Sequence, residues 1–253
     1  MRSRPVRSPR PRRGPRHARP TERPSGLVLA GVFLFVVGAV LAVTLAGGDE
    51  TVGGHAVASN PPPITVPPAP QDGWTTLSNP ASGLSYQIPP ANWSTSPQDG
   101  SVAQVTLAQG AERSAYTCGK PPERFIRGVL GSGSAPGTDP ATLAEAVAQA
   151  AATQYYSTDG AAPPTVTVDQ AQPVTRKTDS GATLRGATVR AIAHQHADPC
   201  LAGEGEVLVF VLRFPDHDGV LLVNADVAGG PASPAPATDR ELMRIVSTAR
   251  PTS

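Results

Sequence analysis

The chain has 253 residues, room for one or two domains, and a formal charge of only +1. That near-neutral total hides a split: residues 1–23 hold nine arginines and one acid, so the remainder carries −7. The overall charge therefore points to no partner, and an acidic body with 4% aromatic residues argues against nucleic acid as a ligand of the larger part.

In chain order, residues 1–25 alternate Arg and Pro and offer almost no apolar side chain to bury, which predicts a disordered basic arm. Residues 26–46 read GLVLAGVFLFVVGAVLAVTLA, 21 residues without a charge. As a helix they would extend roughly 31 Å, close to the hydrocarbon thickness of a bilayer, so they predict a single transmembrane helix. Arginines precede this segment while Asp49 and Glu50 follow it, and the positive-inside rule then puts the N-terminus in the cytoplasm. The expected location is the cell membrane, with one pass, an extracytoplasmic C-terminal part and the lipid bilayer as the first partner. A cleaved signal peptide is the rival reading. The apolar run is longer than such peptides need, and the small-residue candidate Ala56-Val57-Ala58 starts ten residues beyond Ala46. Gly31, Gly38, Ala42 and Ala46 fall on one face of the expected helix, a small-residue series that would let two copies approach as a homodimer. Residues 47–72 form a Pro-rich linker of extended polyproline character.

Residues 73–253 are expected to form one extracytoplasmic domain. A hairpin over 74–77 and 84–88, turned by Asn79-Pro80-Ala81-Ser82-Gly83, opens it. Val105 and Leu107 mark a short strand and 124–130 another, while the glycine-rich stretch 131–137 reads as a flexible loop. Asp139-Pro140 has the cap and first-turn chemistry of a helix running to about Tyr156. Strands follow at Val166–Val168 and 182–196. The nearly all-apolar run 207–214 predicts a central strand covered on both faces, turning at Pro215-Asp216-His217-Asp218-Gly219 into 220–227. Residues 228–237 read as a flexible loop. Thr238 and Glu241 have capping-box spacing before a final helix with Leu242, Ile245, Val246 and Ala249 on one face.

The expected fold class is α+β: an antiparallel sheet sandwich with two packed helices, preceded by the transmembrane helix. The stretch Gly83-Leu84-Ser85-Tyr86-Gln87-Ile88-Pro89, with Trp93 after it and Ile245-Val246-Ser247-Thr248-Ala249-Arg250-Pro251 at the end, resembles PsbP-like α/β-sandwich domains of the LpqN type. The block is also similar to actinobacterial membrane-anchored ectodomains of unknown function. That resemblance implies an accessory or binding module, with no shared catalytic set to transfer.

Cys118 and Cys200 are the only cysteines, and an even count in an oxidising compartment predicts a disulfide. His194-x-His196 would place two imidazoles on one face of a strand, a weak metal candidate because zinc usually takes at least three protein ligands. Asp216-His217-Asp218 contains an Asp–His pair with no identifiable nucleophile beside it, and no phosphate-loop, nucleophile-elbow or zinc-protease motif is present. No cofactor is expected. The leading functional expectation is a membrane-anchored binding or accessory module of the cell envelope, meeting another envelope protein, a lipid or a wall component. Two alternatives stay open: an envelope enzyme, with metal assistance, built on the His194/His196 region, and a structural subunit of a membrane complex.

Overall fold

The computed structural model describes residues 71–96, 100–158, 161–196 and 198–252. The arm, the expected span at 26–46 with its Gly31/Gly38/Ala42/Ala46 face, and nearly all of the linker lie outside the described residues.

Twelve strands and two helices make up the described chain, with 53% of it in strands and 15% in helices. This corrects the expected fold class. The described residues form a mostly antiparallel β structure, and none of their helices is long and apolar enough to cross a membrane. The main sheet has nine strands in the order β3 (Trp93–Ser96), β5 (Val105–Cys118), β6 (Glu123–Pro136), β11 (His217–Gly229), β10 (Ala202–Arg213), β9 (Thr183–His194), β7 (Thr165–Val168). Two further strands join it: β4 (Gly100–Val102) pairs with β5, and β8 (Gln172–Lys177) pairs with β9. A small second sheet holds β1 (Thr75–Asn79), β2 (Leu84–Ile88) and β12 (Arg250–Pro251), with β2 in the middle.

Part of the excess of strand over expectation comes from β6. Instead of ending at 130, β6 continues through Gly131-Ser132-Gly133-Ser134, paired to β5 on one side and β11 on the other. A side chain at Gly133 would place its Cβ 2.1 Å from the Thr106 carbonyl oxygen. Glycine here admits a close backbone neighbour rather than loosening a loop.

Helix α1 (Pro140–Tyr156) begins as expected: Asp139 Oδ2 accepts from the Thr142 amide at 2.9 Å. Its buried face is Leu143, Ala144, Val147, Ala148, Ala151, Ala152 and Tyr156. Four alanines on that face let the helix settle close to the sheet, over Val189, Ala191, Val207, Val209, Val211 and Leu222. Tyr156 needs a bare backbone beneath it, since a Cβ on Gly205 would lie 1.7 Å from its ring.

The opposite face of the sheet packs against α2 (Asp239–Ser247) and the small sheet. Leu208, Phe210, Leu212, Leu221 and Val223 meet Leu242, Ile245, Val246, Leu84, Tyr86 and Ile88 there. Strand β10 is therefore buried on both faces, as its apolar run predicted, with Val207, Val209 and Val211 under α1 and Leu208, Phe210 and Leu212 under α2.

Three arginines in strands hold the C-terminal segment to this second face. Arg127 is fully buried and donates to the carbonyls of Gly229 (3.1 Å), Pro231 and Pro234 (3.0 Å), and to Asp226 Oδ2 at 3.1 Å. Arg113, also buried, donates to the carbonyls of Ala235 (2.7 Å) and Pro236 (3.2 Å) and to both carboxylate oxygens of Glu241. Arg176 reaches the Ala249 carbonyl at 2.8 Å, just past the end of α2, with its guanidinium over the Phe210 ring. The stretch 228–237 is thus clasped by β5 and β6, not a free loop.

Truncating one member of a buried, hydrogen-bonded charge pair leaves the other without compensation. Arg127→Met should lower unfolding stability in urea by about 3 kcal/mol. Adding Asp226→Leu should recover part of that loss, and a single variant with unchanged stability would show that the clasp contributes nothing.

Candidate functional site

The residues singled out by sequence are not brought together. Strand β9 ends at His194, and Gln195 and His196 follow outside it, so the alternation that would align the two imidazoles stops at the first of them. His194 is exposed, its Nδ1 3.5 Å from Glu204 Oε2 on the neighbouring β10. Among the described residues no group of three or more His, Cys, Asp or Glu is arranged to hold a metal ion. Asp216 and His217 do pair, Oδ1 to Nδ1 at 2.7 Å, and that hydrogen bond holds the Asp216 carboxyl below its usual range. The His217 ring stacks on Phe214, and its enclosed Nε2 meets no hydrogen-bonding group, so no nucleophile completes this pair.

Cys118, the last residue of β5, is bonded to Cys200 in the turn before β10, closing a separation of 82 residues. Such a closure stabilises the fold by an amount on the order of 4 kcal/mol in the chain-entropy model. Tyr116 supports the same corner: its hydroxyl donates to the Cys200 carbonyl at 2.7 Å while its ring stacks on Phe125 and takes the Arg127 guanidinium over its face. The disulfide borders an open cleft of about 580 Å³ lined by Lys120, Glu123, Phe125, Thr158 and Asp198.

Two other clefts flank the sheet. The larger, about 650 Å³, lies between the start of α1 and the β8–β9 edge and is mainly apolar. Ala141, Ala171, Pro173, Val174 and Ala187 line it, with Arg185 and Asp139 as its charged members. Small side chains make this groove: Ala141, Ala171 and Ala187 leave the volume that larger apolar residues would fill. The smaller cleft, about 260 Å³, sits against α2 and is lined by Trp74, Pro89, Ala91, Asn92, Thr238, Arg240, Glu241 and Arg244. Thr238 caps α2 as the sequence suggested, accepting from the Glu241 amide at 3.2 Å. The expected return bond from the Glu241 side chain goes elsewhere, to Trp93 Nε1 at 2.6 Å and Arg113 Nε at 3.0 Å.

Burial raises Tyr86 and Tyr156, and it also raises two carboxylates that face arginines. Burial pushes Asp226 up to about 6, against the opposing hydrogen bond and charge of Arg127. Burial likewise raises Glu206, whose hydrogen bond from Arg190 Nε at 2.9 Å opposes the shift. Neither was visible in the sequence, where both occur inside strands with no motif around them.

The described residues therefore form a disulfide-braced antiparallel β domain with clefts on its two faces and no assembled catalytic set. The chain belongs to a domain family of unknown function, DUF8017, whose model matches residues 67–253. No curated protein matches it.

Because the folded value of Asp226 is raised, this carboxyl favours the native state most below its unfolded value, near 3.8, and that contribution disappears as pH rises through about 6. The amount is on the order of 2 to 3 kcal/mol. Its carboxyl carbon should titrate by NMR with a midpoint near 6, and the urea midpoint should fall between about pH 4 and pH 6 through this group. Asp226→Asn should flatten that part of the profile; an Asp226 midpoint near 4 would refute the reading.

Proposed function

We propose that this protein is a membrane-tethered, extracytoplasmic binding module of a bacterial cell envelope, and that its ligand is a lipid-like amphiphile held in the groove between α1 and the β8–β9 edge. The observation that carries the reading is the groove itself: about 650 Å³, mainly apolar, floored by alanines. That volume is within the roughly 300–1,000 Å³ of small-molecule sites. An acyl chain would lie along Ala141, Ala171, Val174 and Ala187, and an anionic head would meet Arg185, which is exposed and has no acidic partner among the described residues.

Several features support the envelope setting. The Cys118–Cys200 disulfide suits an oxidising compartment. The uncharged run at 26–46, with arginines before it and acids after it, supports a tether that leaves the C-terminal domain outside. Its Gly31, Gly38, Ala42 and Ala46 would serve as a contact between two copies. The resemblance of 83–89 and 245–251 to PsbP-like and LpqN-type domains supports an accessory rather than catalytic role, and the Ala-, Arg- and Pro-rich composition supports an actinobacterial source.

Filling the groove tests the proposal. Ala171 is only half-buried and lies outside any strand, so Ala171→Trp should be accommodated structurally while occupying the site. Binding of a fluorescent fatty acid to the full-length chain should weaken by at least about tenfold, with the melting temperature within a few degrees of the parent. Equal binding by parent and variant, or none by either, would reject the groove as the site.

A further inference from the structure

The small cleft on the α2 side differs in character from the groove. From residue 51 onward the chain carries 12 Lys and Arg against 17 Asp and Glu, a net of −5. Half of these cations are committed: Arg113, Arg127 and Arg176 are buried, and Arg124, Arg190 and Arg213 each face a carboxylate. Two arginines in the small cleft are not neutralised. Arg240 and Arg244 stand four residues apart, hence on one face of α2. Arg240 is exposed, with no hydrogen bond or ion pair among the described residues. Arg244 is held by neutral groups alone, its Nη2 donating to Gln71 Oε1 at 2.6 Å and its guanidinium lying 5.0 Å from the Trp74 ring centroid.

The acid in the same cleft does not cancel them. Glu241 is turned inward, with both oxygens used by buried Arg113 and one also by Trp93. The cleft therefore presents two uncompensated guanidinium groups in a protein part that is otherwise acidic. One is already fixed by an indole and an amide, so little side-chain freedom is lost when it binds. Asn92 and Thr238 add polar side chains to the wall. A space of about 260 Å³ suits a single compact anionic group rather than a whole ligand.

We infer that this cleft is a binding site for a phosphoryl group, bridged by Arg240 and Arg244, carried on a larger molecule that extends into solvent. Guanidinium forks match the paired oxygens of phosphate, and charge-assisted bonds of this kind are the strong ones. The site is on the opposite side of the sheet from the groove and stands independently of the amphiphile proposal.

Titration of the full-length chain with inorganic phosphate, followed by Trp74 fluorescence and by the arginine side-chain NMR signals, tests it. Trp74→Phe identifies the indole signal, because Trp93 is the only other tryptophan. Saturable binding is expected, weakened at least about tenfold by Arg240→Gln and by Arg244→Gln and unchanged by Lys120→Gln, which removes a cation lining the separate cleft at the disulfide. A sugar phosphate and vesicles containing an anionic phospholipid form the two further arms. Preference for the first identifies a soluble or polymer-borne phosphate, and preference for the second a lipid headgroup. Equal response to chloride at matched ionic strength, or unaltered affinity in Arg240→Gln, overturns the site. Arg240 is exposed and has no hydrogen bond or ion pair among the described residues, so an unchanged melting temperature in Arg240→Gln separates loss of binding from loss of folding.

Discussion

Much of this fold depends on guanidinium groups donating to backbone carbonyls inside the protein. The segment Gly230-Pro231-Ala232-Ser233-Pro234-Ala235-Pro236 has three prolines, so it is short of amide donors and rich in acceptors that cannot satisfy one another. Buried carbonyls without partners are costly. Arg127 and Arg113 meet this demand from below, the first taking three carbonyls and the second two. A lysine would fail in the same place, because a single ammonium cannot fan out to acceptors spread along a turn. Arg176 applies the same chemistry at the other end of α2, where the last carbonyls of a helix lack partners.

The clasp also determines where the clefts are. Once Arg113 has drawn Glu241 inward beside Trp93, the rotation of α2 is set, and Arg240 and Arg244 are turned toward Trp74. On the other face the decisive feature is lack of bulk. The alanines that bring α1 close to the sheet continue, at Ala141, Ala171 and Ala187, into the groove at its edge. One face is thus organised by charge and hydrogen bonding, the other by close packing of small side chains.

Local signals were readable and long-range ones were not. Asp139, Pro140 and Tyr156 bounded α1 correctly, because caps and apolar spacing act within a turn or two. The apolar run of β10 announced its two-sided burial, and the cysteine count announced the disulfide. Gly131 and Gly133 misled, since glycine signals both loop freedom and close strand contact, and only the neighbouring Thr106 backbone decides between them. The stretch 228–237 misled for a related reason: its restraints come from Arg113 and Arg127, more than a hundred residues earlier. The small strands β3, β4 and β8 are too short and too polar to alternate clearly. The Arg240/Arg244 cleft was hidden because nothing in the sequence places Trp74 beside α2.

The small sheet carries one more consequence. Its middle strand, β2, lies between β1 and β12, and the Gln87 amide is bonded to the Thr248 hydroxyl, 161 residues away. As the chain leaves a ribosome or a translocation pore, the first hairpin has no lasting partner on that side. Its inner surface, with Leu84, Tyr86 and Ile88, is covered by β10, β11 and the final helix, all of which come more than a hundred residues later. Pairing of this edge waits for Arg250 and Pro251, and until they arrive β2 is an open edge vulnerable to pairing with another chain.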